Sequence, residues 1–132
     1  MFRSFLIYLS KAAWAQNLVT NWGFAWRTAS RFIAGTKLEE AMRVVRELNA
    51  KGINATLDHL GEHTNTPEEA QQATDDIFAT LDALGTDPAA RGNVSIKLTQ
   101  IGLGLDESIC AQNLERILAR AKRNNTFVRV DI

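Results

Sequence analysis

The sequence holds one cysteine among its 132 residues. That excludes an internal disulfide framework and a cysteine-based structural zinc site. Long apolar runs are missing too. The longest charge-free stretch, Ala12–Trp26, has 15 residues and includes Gln16, Asn17, Thr20 and Asn21. A membrane-spanning helix needs about 20 predominantly apolar residues. Two prolines and eight glycines, beside 45% hydrophobic and 23% charged residues, exclude collagen-like and disordered chains. Net charge is also absent, with 15 basic side chains against 15 acidic ones. The length suits one ordinary domain and is too short for two.

The zero net charge conceals an asymmetry. Residues 1–37 contain Arg3, Lys11, Arg27, Arg31 and Lys37 and no acid, so this segment is +5 and the rest is −5. Eight of the ten aromatics (Phe2, Phe5, Tyr8, Trp14, Trp22, Phe24, Trp26 and Phe32) lie within the first 32 positions. The expected division is therefore a basic, aromatic helical segment over 1–35 and a separately built body over 36–132. Phe2, Phe5, Leu6, Leu9 and Ala13 follow the i, i+3, i+4, i+7 helical pattern. The apolar core Phe5–Ser10 is too short for an ordinary secretory signal. Basic charge with interleaved aromatics suits peripheral contact with anionic lipid. No motif points to nucleic acid.

From Thr36 the pattern is regular. Thr36 and Glu39 read as a capping box. Leu38, Ala41, Met42, Val45 and Leu48 then form one helical stripe that Gly52 closes. Alternation over Ile53–Leu60 predicts a strand. Thr66-Pro67-Glu68-Glu69 opens a second helix, with Ala70, Ala73, Ile77, Leu81 and Leu84 inward. A turn over Gly85–Gly92 and a second strand over Val94–Ile101 follow. Asp106 caps a third helix through about Arg123, with Leu114, Ile117, Leu118 and Ala121 inward. Phe127–Ile132 is the third strand. Strands separated by one helix run parallel with right-handed crossovers. Three such strands cannot close a barrel, which needs eight. The expected fold is α/β: N-terminal helices, then the first three strands of a truncated (β/α)8 barrel. The alternative is a complete small α/β sheet.

Working residues of a βα barrel lie at the C-terminal ends of its strands. Those ends carry Asp58 to Glu62, Lys97 to Gln100, and Arg129 with Asp131. A lysine flanked by acids on adjacent strands makes an anion-binding arrangement held by charge. His59-Leu60-Gly61-Glu62-His63 also matches the H-x-x-E-H zinc pattern. That chemistry needs both histidines on one helical face, whereas His59 ends a predicted strand and Gly61 interrupts. A zinc hydrolase through His59, Glu62 and His63 is therefore a weak alternative, and no metal is expected. Cys110 reads as a small, partly buried side chain.

Three motifs at these strand ends resemble the proline dehydrogenase family. They are Ala55-Thr56-Leu57-Asp58-His59-Leu60-Gly61-Glu62, Asn93-Val94-Ser95-Ile96-Lys97-Leu98-Thr99-Gln100-Ile101-Gly102, and Phe127-Val128-Arg129-Val130-Asp131. They occur in order and at matching spacing. The resemblance implies a FAD-containing distorted (β/α)8 barrel. Such an enzyme oxidises L-proline to Δ1-pyrroline-5-carboxylate and passes electrons to a quinone at the membrane. It also implies that Lys97 binds the substrate carboxylate and that Asp131 is an active-site acid group near the flavin and Lys97. Ile132 would touch FAD through its backbone. Glu62 would pair with an arginine on the last barrel helix and gate the pocket, and Asp58 would join the same polar network.

The segments that supply most of the flavin site in this family are not in the 132 residues. The fragment by itself is therefore expected neither to hold FAD nor to turn over proline. A non-catalytic fragment that binds a partner or a membrane is the alternative from another class. Location is expected to be cytoplasmic, or peripheral on the inner face of the membrane.

Overall fold

A computed structural model describes residues 37–61 and 64–132. The helices expected within 1–35, and both Glu62 and His63, lie outside the described residues. The first described helix, α1, spans Leu38–Ala50 and buries Met42 and Val45. It starts one residue later than the expected Thr36–Glu39 box. Lys37 is the extended N-cap residue, and its N–H donates to Glu40 Oε2 at 3.4 Å. At the other end Gly52 takes φ +76°, a left-handed value that favours glycine. That turn lets the Gly52 and Ile53 N–H groups donate to the Asn49 and Leu48 carbonyls, each at 2.9 Å.

Strand β1 is Ala55–Asp58, shorter at both ends than the expected Ile53–Leu60. Helix α2, Pro67–Thr86, starts as the sequence predicts. The Thr66 side chain accepts the Glu69 N–H at 3.2 Å, and Pro67 occupies the first turn. Its inward residues Ala70, Ala73, Ile77, Leu81 and Leu84 are all buried. The end of α2 corrects the predicted turn, because Gly85 lies inside the helix. A Cβ at Gly85 would stand 2.6 Å from Asn124 Cγ and Oδ1. The glycine serves close packing there, not chain reversal.

Strand β2 is Gly92–Lys97. The predicted continuation to Ile101 is instead one turn of 3-10 helix, Leu98–Ile101. Helix α3, Glu107–Arg123, has Asp106 as N-cap, with its carboxylate accepting the Ser108 N–H at 2.7 Å. Arg120, Lys122 and Arg123 occupy its last turn, where positive charge complements the helix dipole. Ile117 and Ala121 are buried as expected, but Leu118 is 47% exposed. Strand β3 is Val128–Asp131.

The three strands form one parallel sheet in the order β1-β2-β3. Parallel neighbours joined through a helix are the βα crossover arrangement. Leu57 stands opposite Val94, and Val94 opposite Val128. Ala55, Leu57, Val94, Ile96 and Val128 belong to one core with Val45, Ile77, Leu81 and Ile117. The sheet thus turns one face to the helices. Because strand side chains alternate, the other face carries Thr56, Asp58, Asn93, Ser95, Lys97, Arg129 and Asp131. Every one of these is polar or charged. A helix-covered apolar face and a polar opposite face are what an inward-facing barrel wall requires.

Asn49 fastens the amino-terminal edge of this wall. Its Nδ2 donates to the Ile53 and Arg91 carbonyls at 3.1 and 3.0 Å, and its Oδ1 accepts the Arg91 N–H at 2.5 Å. One side chain therefore satisfies backbone groups at the entrances of two strands. On the outer side, Arg116 and Arg120 lie over the Phe78 ring at 5.2 and 4.5 Å from its centroid. Arg120 also reaches Asp82 at 2.7 Å, joining α2 to α3.

Candidate active site

Register sets the heights of the charged groups. Lys97 stands opposite Asp131, both at the carboxyl ends of their strands. One level lower, Asp58 stands opposite Ser95, and Ser95 opposite Arg129. All five share the polar face by alternation. The structure thus brings together Asp58, Lys97 and Asp131, which the sequence selects.

Asp131 is gripped from two directions. Arg129 donates from Nε to Oδ1 at 2.8 Å and from Nη2 to Oδ2 at 3.3 Å. Ser95 donates its hydroxyl to Oδ2. Ser95 is buried while Asp131 is half-buried, so a fixed donor backs a carboxylate that faces outward. The Arg129 guanidinium, then the Ser95 hydroxyl, holds the Asp131 carboxyl below its ordinary value, and the Lys97 charge adds to this. Both donors favour the ionised form. Arg129 is raised in turn, first by Asp131 and more weakly by Asp58. At neutral pH Asp131 is therefore a fixed negative charge and a hydrogen-bond acceptor.

The exit of β1 is tied to the exit of β2. Gln100, on the 3-10 turn, is buried, with Oε1 accepting the Lys97 N–H at 3.0 Å. Its Nε2 donates to the His59 carbonyl at 2.7 Å. Thr64 donates its hydroxyl to the Thr99 carbonyl of the same turn at 2.9 Å. His59 itself lies beside Asp76 at 3.5 Å. It follows a strand, and neither Leu60 nor Gly61 is helical. The helical spacing that a zinc H-x-x-E-H site requires is absent over residues 59–61, and no cluster of metal-ligating side chains occurs among the described residues.

Ile132 follows β3 and is fully exposed. Glu62, the remaining predicted site residue, lies outside the described residues. Ser95 is the residue that sequence reasoning missed. The signal was present, since Asn93, Ser95 and Lys97 are alternate residues of one strand and share a face. Cys110 is buried, and burial pushes its thiol up, which suits packing and disfavours a nucleophile.

Chemically, this wall presents one ammonium and one guanidinium around a carboxylate that is ionised at neutral pH. It suits recognition of a small zwitterion whose carboxylate meets a cation and whose ammonium meets an anion. The parallel strands, the single helical layer and the charged carboxyl ends match part of a (β/α)8 barrel. The fold is similar to proline utilization A from Bdellovibrio bacteriovorus in its crystal structure inactivated by N-propargylglycine. That similarity has a TM-score of 0.75 at 22% identity, covering 89% of this chain and 14% of that one. The family model described as proline dehydrogenase matches residues 41–132, and the chain belongs to that family. Proline dehydrogenase 2 of Bacillus subtilis (strain 168) is 31% identical over 130 residues, 98% of this chain and 42% of that protein. Proline dehydrogenase 1 of the same organism is 33% identical over 135 residues, covering 100% and 43%. Proline dehydrogenase of Deinococcus radiodurans is 34% identical over 110 residues, covering 81% and 35%. The chain thus spans less than half the length of these relatives.

Proposed function

We propose that residues 37–132 form the substrate-facing wall of a FAD-dependent proline dehydrogenase that oxidises L-proline to Δ1-pyrroline-5-carboxylate. The observation that carries this reading is the juxtaposition of Lys97 and Asp131 at one level of the polar face. Lys97 binds the proline carboxylate through a charge-assisted bond. Asp131, held ionised by Arg129 and Ser95, sets a negative charge opposite that ammonium. Asp58 extends the negative side of the wall on β1.

At the end of β3, Arg129 and Asp131 are fixed against each other and form a rigid, charged rim fit to border a flavin. Ile132 would meet FAD through its backbone. When bound, the flavin supplies the two-electron acceptor for oxidation of the bond between the ring nitrogen and its neighbouring carbon. The protein's share is to hold the carboxylate end of proline at Lys97, so that this carbon is presented in one orientation.

The electron acceptor proposed is a quinone, reached by peripheral membrane contact. The basic, aromatic segment 1–35 is the proposed contact. Among the described residues no helix is long and apolar enough to cross a membrane. The proposed location is cytoplasmic, or peripheral on the inner face of the membrane.

The test uses a chain of the relatives' full length that carries residues 1–132 unchanged. It should be purified with FAD, and proline should bleach the flavin anaerobically and reduce an artificial dye. A FAD-loaded protein that proline leaves oxidised would refute the proposal. The 132 residues alone provide one wall, and proline-dependent dye reduction by them alone would contradict that assignment.

A further inference from the structure

Gln100 makes contacts that capping does not explain. A side chain at the third position of a short helix commonly returns to the N-cap backbone, and Gln100 Oε1 does so at Lys97. Its Nε2, however, reaches a different strand exit, at the His59 carbonyl 41 positions away. The side chain is 2% exposed, so it is closed to any ligand. Its two ends hold the backbone at Lys97 and the backbone one residue beyond Asp58. The neighbouring Thr99 carbonyl accepts the Thr64 hydroxyl, so a second point of the β1–α2 connection is held to the same turn.

We propose that Gln100 is a positioning residue that sets the distance between the Asp58 and Lys97 ends of the substrate wall. A parallel ladder fixes neighbouring strands only as far as its last paired residues, which here are Asp58 and Ser95. Lys97 lies two residues past that pair, beyond the reach of the β1–β2 ladder. The Gln100 amide bridges the interval. Its carbonyl and amino ends diverge within one plane, so one rigid group spans two strand exits. The consequence for proline binding rests on the proposed role of Lys97. The consequence for geometry does not.

Two variants separate the two ends. Gln100→Met keeps the volume and removes both hydrogen bonds. Gln100→Glu keeps the acceptor for Lys97 and loses the donor to His59 as the carboxyl ionises. In the 132-residue chain the readouts are amide exchange at Lys97 and the Leu60 amide nitrogen shift, which reports on the His59 carbonyl. In Gln100→Met the Lys97 amide should exchange roughly tenfold faster, as expected for one lost hydrogen bond, and the Leu60 shift should move. The Val94 and Ile96 amides should keep their protection. In Gln100→Glu the Lys97 amide should stay protected, while the Leu60 shift moves toward the Met value with rising pH. A purely packing role would move both readouts together in both variants. Wild-type exchange at Lys97 in Gln100→Met would overturn the proposal, as would a Met-like pattern in Gln100→Glu. Should the Met variant fail to fold, the split within Gln100→Glu decides alone.

In the full-length FAD-loaded chain, Gln100→Met should raise the proline KM several-fold, in the range of one hydrogen bond, with kcat nearly unchanged. Lys97→Met, measured alongside, should raise it further. If Lys97→Met raises KM and Gln100→Met does not, the positioning role fails and the proline site stands. If neither raises it, the proline site itself fails.

Discussion

Replacing Gly85 by alanine sets two effects against each other. Gly85 lies inside α2, so alanine should favour the helix by about 1 kcal/mol. The new Cβ would stand 2.6 Å from Asn124 Cγ and Oδ1 and 2.7 Å from Asn124 Cβ. A side-chain tip could swing aside, but Cβ is fixed to the backbone at the C-cap of α3. Asn124 is also engaged, its Nδ2 donating to Asp82 Oδ1 at 2.9 Å. Overpacking at such a contact costs roughly 1–3 kcal/mol. Losing the half-exposed bond to Asp82 adds about 0.5–1 kcal/mol. The steric cost wins, and Gly85→Ala should destabilise by about 0.5–3 kcal/mol overall. Urea unfolding followed by far-ultraviolet circular dichroism reads this as a lower midpoint at unchanged slope. In an Asn124→Gly background the clash disappears, so the same substitution should become neutral or stabilising. A Gly85→Ala protein more stable than its parent would refute the close-packing explanation and restore the reading of Gly85 as a turn residue.

Other predictions follow from the core, the charges and the proposed reaction. Leu81, 0% exposed, should cost about 2–5 kcal/mol when cut to alanine, read by the same urea titration. Asp87, held low by the Arg46 side chain at 2.7 Å, and Asp131 both have folded values below their ordinary ones. Their stabilisation is therefore full above the ordinary carboxylate range and is lost as pH falls through the lowered values. Unfolding midpoints should drop between neutral and strongly acid pH, with a shallower drop in Asp87→Asn. Cys110 should react with a thiol reagent more slowly than free cysteine at the same mildly alkaline pH, and should match it after unfolding. In the full-length enzyme the rate with proline should climb toward alkaline pH, because the substrate amine must lose a proton before oxidation. A flat pH–rate profile would remove that requirement.

Much of the fold was legible because each element carried two agreeing signals. Helix α2 had a Thr66 cap with Pro67 and a stripe ending at Leu84, and both hold. Strand ends were less legible. The strand predicted over Val94–Ile101 ends at Lys97, and the alternation of Val94, Ile96 and Leu98 fails at Gln100, where the chain turns. There the Gln100 amide accepts the local Lys97 N–H and donates to the His59 carbonyl, a partner distant in sequence. Gly85 misled for a related reason, since its glycine answers to Asn124 of another helix. Leu118 was placed inward by its spacing but stands at the edge of the α3 stripe, where the described packing does not reach.

The candidate site shows the same division. Lys97 and Asp131 could be selected from motifs, and register sets them side by side. Ser95 shares the face of Lys97 by alternation, but its part in the site shows only in its bond to Asp131. Arg129 was visible as a charge near a strand end, but its two-pronged hold on Asp131 is a matter of geometry. The sequence also separates its charges unevenly. The acid-free segment 1–37 compensates a body that is acidic overall, while the active wall gathers two cations around Asp131.

The proline KM of Lys97→Met, in a FAD-loaded chain of full family length, tests the central claim most directly. The expected result is bound flavin at parental content and a KM raised by at least about tenfold, as for loss of a charge-assisted bond. A KM equal to the parent's, with the flavin still reduced by proline, would contradict the assignment of this wall to substrate.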